Sequence, residues 1–163
     1  MVLNLRRTGA TVLEVDPETG RQFRVQAHGG HFGGSLDGLA INLLEAPKAW
    51  HVLEFKTHSN KSFGDLVAKK VRESKPQHFA QMQIYMHLTG ITRAFYVAVC
   101  KDTDALHIER IEADVVVSTG DDGVHGSLGV SPTRPFRLAR LRERVGGQHQ
   151  GDGDEKETLG VAA

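Results

Sequence analysis

The chain has 163 residues, 39% of them hydrophobic, enough for one ordinary core and consistent with a single domain plus a tail. Its 20 lysines and arginines balance 20 aspartates and glutamates, so any affinity for a polyanion has to come from local charge rather than a net basic excess. Cys100 is the only cysteine, which excludes an intrachain disulfide framework and any zinc or iron–sulfur site made from several cysteines of this chain. A reducing, cytoplasmic setting is expected. Met1–Ala10 carries arginines but no apolar run of signal-peptide length, and no stretch approaches the roughly 20 apolar residues of a membrane span; no membrane partner is expected.

In chain order, residues Thr11–Val15 and Arg21–Ala27 alternate apolar and polar side chains around Asp16-Pro17-Glu18-Thr19-Gly20, a pattern that predicts a hairpin. After the glycines at 29, 30, 33 and 34, the run Ser35–Ile41 reads as a further strand, and Ala49–Thr57 is the most strand-like segment of the chain. Phe63, Leu66, Val67 and Val71 recur at helical spacing, as do Phe79, Met82, Met86 and Thr89; Lys75-Pro76 separates the two stretches and Gly90 closes the second. Ala94–Cys100 is an apolar run of strand length, Lys101–Asp104 a turn, and Ala105–Ile111 a last alternating strand. The expected order is four strands, two helices and two strands: an α/β fold with a central mixed sheet flanked by helices. Beyond about Asp114 glycine and charge dominate. Residues 114–163 are therefore expected to be a poorly structured tail, except that Leu138, Leu141 and Val145 line one side of a short arginine-studded helix within Arg134–Val145, expected to be solvated or else to touch DNA.

In Val52-Leu53-Glu54-Phe55-Lys56 the two-residue period of a strand sends Glu54 and Lys56 to one face. Asp37 lies in the preceding strand, and hairpin-like pairing of that strand with this one would set its carboxylate beside that of Glu54. Two carboxylates on a rigid sheet, completed by the backbone carbonyl of Phe55, suit the hard-oxygen preference of Mg2+ or Mn2+. Taken alone, Glu-x-Lys is equally the pattern of an exposed ion pair.

Three segments taken together resemble the RecB-like branch of the PD-(D/E)XK nuclease superfamily, including nucleases found in phage genomes. They are Gly33-Gly34-Ser35-Leu36-Asp37-Gly38, then Trp50 to Thr57, then Lys75 to Tyr85. The resemblance runs from about Gly9 to Ile111. It implies a restriction-endonuclease-like core over residues 1–113 and a DNA exonuclease, or an enzyme of recombination or repair, that works with a recombination or replication partner. Asp37 then stands for the first metal aspartate, Glu54 and Lys56 for the E-x-K pair, and Gln81 and Tyr85 for the Q-x-x-x-Y signature of the following helix. Four residues apart, Gln81 and Tyr85 share one helix face. The resemblance also implies a longer first helix with an acidic residue near the metal, of which Met1–Arg7 matches only the end. A shortened copy that binds nucleic acid without turnover is the alternative expectation.

From Lys56 to Lys75, six positive residues face two negative ones. Within that stretch Lys61, Lys69, Lys70, Arg72 and Lys75 are the expected phosphate contacts. A solvated helix face explains the same charges. None of the nine histidines has zinc-motif spacing; His58 and His78 are expected to be solvent-exposed or to approach a substrate phosphate.

Overall fold

The computed structural model describes residues 1–27, 31–114 and 138–147. A short helix α1 (Val2–Arg7) leads into β1 (Thr11–Leu13), β2 (Arg24–Ala27), β3 (Phe32–Ser35), β4 (Gly38–Ile41) and β5 (His51–His58). Helices α2 (Asn60–Ser74) and α3 (Pro76–Thr89) follow, then β6 (Arg93–Cys100), β7 (Leu106–Glu112) and α4 (Leu138–Gly147). Five strands form one mixed sheet in the order β1-β4-β5-β6-β7, and β2-β3 form a separate two-stranded sheet. Among the described strands only β5 and β6 run parallel, joined by the α2–α3 crossover; their other pairings are antiparallel. The fold is thus α/β with a central mixed sheet flanked by helices.

Alternation along β5 explains the layering. Val52 joins the larger core with Leu66, Val71, Met82 and Met86 on the α2–α3 side, while Leu53 joins Leu5, Val12 and Leu43 on the α1 side. Pro76 opens α3 at a position where its missing N–H is harmless. Gly90 closes it in the left-handed conformation (φ 70°).

Three expectations are revised. The predicted hairpin survives only as a single bridge between Val15 and Gln22. Instead β1 pairs with β4 in the register Thr11 opposite Ile41, and β2 pairs with β3. The predicted strand Ser35–Ile41 is divided between the two sheets. At the break the Leu36 backbone N–H bonds the Phe23 carbonyl at 2.9 Å, and the Gln22 amide donates to the Leu36 carbonyl at 3.1 Å. Finally, α4 is not a solvated element: Leu141 is buried in the larger core, with Leu138 and Val145 packed against it. The rest of the predicted tail, 115–137 and 148–163, lies outside the described residues. Among the described residues, no helix is long and apolar enough to cross a membrane.

Candidate active site

The break before β4 sets the position of Asp37. Gly38 is opposite Leu53 in the β4–β5 ladder, and a Cβ on Gly38 would lie 2.8 Å from the Leu13 carbonyl oxygen, so no larger residue fits there unless β1 moves. Beyond Gly38 the ladder stops. The Asp37 carboxylate then accepts the Phe55 N–H at 2.8 Å, taking the amide that a further rung would have used. This tether fixes Asp37 beside β5, at the residue whose carbonyl completes the expected ligand set.

Glu54 and Lys56 share the α2–α3 face of β5, and the Lys56 ammonium forms an ion pair with Glu54 Oε1. Glu54 is 1% exposed, which separates this pair from an ordinary surface Glu-x-Lys contact. Burial pushes the Glu54 carboxyl above its usual range; Lys56 opposes that shift, and the nearby charge of Asp37 adds to it. Two carboxylates and a single ammonium leave uncompensated negative charge in a mostly desolvated position. Among the described residues, no three or more His, Cys, Asp or Glu side chains converge to hold a metal ion. The oxygen donors at this corner are Asp37, Glu54 and the Phe55 carbonyl, a hard donor set that suits Mg2+ or Mn2+.

On α3, the Gln81 side-chain amide donates to the Tyr85 hydroxyl at 2.9 Å. The Tyr85 ring lies against Gly34, where an added Cβ would meet ring carbons Cε1 and Cζ at 2.7 and 2.8 Å. Because Tyr85 is itself buried, Gly34→Ala is expected to destabilise the fold by about 1–3 kcal/mol through overpacking. Urea unfolding checks this: a midpoint equal to that of the native chain would mean that the ring has room to retreat.

The five expected phosphate contacts are not equivalent. Lys69 and Lys75 both reach Asp65, at 2.8 and 3.7 Å. Arg72 pairs with Asp114 at 2.6 Å and lies 4.7 Å from the centre of the Phe79 ring. Lys61 and Lys70 are exposed. Lys70 has φ 67° and interrupts α2; the Val71 N–H that follows is taken up by Glu109 at 3.1 Å.

His58 and His78 are not simply solvated. His58 is 8% exposed, and both imidazoles bond the hydroxyl of Tyr96, at 3.0 and 2.9 Å. Residues 58, 78 and 96 share no local spacing: the parallel β5–β6 ladder, which sets Glu54 opposite Tyr96, aligns the first and last, and α3 brings His78 onto the Tyr96 hydroxyl.

No protein-family model and no curated protein matches the chain. Solved structures do. One is LHK-Exo in complex with dAMP (24% identity, TM-score 0.46); another is an alkaline exonuclease, LHK-Exo, from Laribacter hongkongensis (25% identity, TM-score 0.44). Each alignment covers 69% of this chain and 52% of that chain, so the chain spans about half the length of these structures.

Proposed function

We propose that this chain is a divalent-metal-dependent DNA nuclease that hydrolyses phosphodiester bonds, of an exonuclease or recombination-repair type. What carries the reading is the convergence of Asp37 and buried Glu54, with Lys56 paired to the latter, at one edge of β5. Asp37, Glu54 and the Phe55 carbonyl would hold Mg2+ or Mn2+. Bound there, the ion would acidify a water and offset charge developing on the scissile phosphate. Lys56 orients the attacking water and stabilises the added negative charge. Gln81 and Tyr85 flank the site and steady the substrate. Lys61, Lys69, Lys70, Arg72 and Lys75 follow the phosphate backbone without reading sequence; Lys61 and Lys70 are the two that give up no Asp65 or Asp114 contact to do so. A cytoplasmic setting and a recombination or replication partner belong to the same proposal.

One observation favours a second reading, in which the chain binds nucleic acid without turnover: among the described residues only two carboxylates meet at the site, and one of them is engaged by Lys56. Incubating the chain with end-labelled linear and closed circular DNA, in magnesium, manganese or EDTA, separates the two. The control is the Glu54→Gln, Lys56→Ala double variant. Metal-dependent degradation by the native chain alone supports the nuclease, and attack on linear DNA only makes it an exonuclease. Folded protein that binds DNA and leaves both forms intact supports the second reading.

A further inference from the structure

Four elements meet around one phenol that the carboxylate chemistry does not use. Tyr96 on β6 is fully buried and, as the ladder partner of Glu54, faces the same side of the sheet. Its hydroxyl is bonded by His58 Nε2 from β5 and by His78 Nδ1 from the first turn of α3. His58 Nδ1 in turn lies 3.1 Å from the Ser62 hydroxyl on α2. The result is a continuous chain Ser62–His58–Tyr96–His78, buried at its centre and ending at the half-buried imidazole of His78. Among the described residues, His78 Nε2 has no hydrogen-bond partner.

Proton counting limits what this chain can do. A phenol has one proton, so it donates to one imidazole and accepts from the other. In one neutral arrangement Ser62 donates to His58, His58 to Tyr96 and Tyr96 to His78, leaving a proton on His78 Nε2. In the reverse arrangement His78 donates to Tyr96, Tyr96 to His58 and His58 to Ser62, leaving His78 Nε2 as a bare acceptor. A proton added to that bare nitrogen breaks none of the three hydrogen bonds. The chain therefore accommodates a charged His78 with every buried partner still satisfied, which an isolated buried histidine does not.

The surroundings set when that charge is tolerated. Lys56 lies on the same face of β5, and Lys75 stands three residues ahead of His78 with its side chain only 15% exposed. Burial lowers the proton affinity of His78, and Lys56, His58 and Lys75 lower it further. His58 is lowered by burial, then by Lys75 and Lys56. Burial and the charges of Glu54 and Glu109 keep Tyr96 protonated well beyond the usual tyrosine range. Asp65 on α2 partly offsets Lys75, and Glu109 on β7 is bonded to His107 and to the Val71 amide. An anion docking among these groups would cancel the repulsion from both lysines.

We propose that His78, seated by the Tyr96–His58–Ser62 chain close to Lys56 and Lys75, is a phosphate-binding residue that takes up a proton from solvent when a nucleic-acid phosphate docks beside it. This rests on the nucleic-acid reading above and adds a named contact and a pH dependence. Proton uptake on binding means that affinity rises as pH falls.

The test is calorimetric titration of the full chain with a short 5′-phosphorylated single-stranded oligonucleotide, in EDTA so that nothing is cleaved, in two buffers of different ionisation heat. The expected result is uptake of up to about one proton per chain near pH 7. His78→Asn should abolish most of that uptake and flatten the pH dependence of affinity. Tyr96→Phe, which keeps the ring but removes the hydroxyl, should alter the uptake, and nitrogen NMR should show changed tautomers at both His58 and His78. Binding without proton uptake, or uptake unchanged in His78→Asn, overturns the inference while leaving the nucleic-acid reading intact. No binding at all overturns that reading and the inference together.

Discussion

Asp37→Asn is expected to lower metal-dependent cleavage at least ~100-fold while leaving the fold in place, since loss of a mere outer-shell partner of a metal ligand already costs about 10–100-fold. The substitution is chosen for what it keeps. An asparagine carbonyl oxygen still accepts the Phe55 N–H, so the tether between the start of β4 and the middle of β5 survives and only the negative charge is lost. A second effect follows at Glu54. Because the Asp37 charge helps hold the Glu54 carboxyl above its usual range, removing it should let Glu54 ionise at lower pH. Metal and proton compete for Glu54, so manganese affinity of the native chain should rise with pH through that elevated value. In Asp37→Asn the affinity should be weaker throughout, with its rise displaced toward acid. Manganese titration across pH checks both points. Equal affinity in the two proteins would remove Asp37 from the ligand set.

Lys56→Ala is expected to be the most destabilising single change at the site, by about 3–5 kcal/mol at neutral pH, because it strips the counter-charge from a carboxylate that has almost no access to water. The direction with pH is fixed by Glu54. Its folded-state pKa is raised relative to the unfolded chain, so its contribution to stability is fully present below the ordinary glutamate range and is lost as pH rises through the folded value. Without Lys56 that value rises further, so the variant should approach native stability in acid and fall away toward neutral and alkaline pH. Adding Glu54→Gln removes the uncompensated charge and should restore most of the loss, a non-additivity expected only of directly coupled groups. Urea unfolding of the native chain, Lys56→Ala and the double variant at two pH values makes the comparison. A double variant no more stable than Lys56→Ala would show that an uncompensated Glu54 charge is not what destabilises the single variant.

How much of this was legible in the sequence depended on distance along the chain. Glu54 and Lys56 could be placed on one face from the strand period alone, and the helix boundaries at Lys75-Pro76 and Gly90 followed from local backbone chemistry. The division of Ser35–Ile41 between two sheets could not be read. Nothing in Leu36-Asp37 forbids a continuous strand, and the break comes from Phe23 and Gln22, which capture the Leu36 backbone from elsewhere in the chain. The expected hairpin failed for a related reason. A Pro-Gly turn favours local pairing, but β1 finds a longer ladder along β4, where Asn42 also donates to the Thr11 hydroxyl at 3.1 Å. His58 and His78 could be singled out in the sequence, but their junction at Tyr96 could not, because tertiary packing alone makes the three neighbours.

The parallel alignment of β5 with β6 also has a consequence for how the protein comes to be folded. Glu54 and Lys56 are synthesised before either helix of the crossover, yet the strand that walls in Glu54 arrives only after both. Closing so long an excursion costs chain entropy before any ladder bond repays it. A nascent chain extending only through α3 holds the Glu-x-Lys pair without the strand that carries Tyr96 opposite Glu54. The pairing of β5 with β6 thus completes the enclosure of two adjacent charges, and it spans the longest excursion between neighbouring strands of the five-stranded sheet.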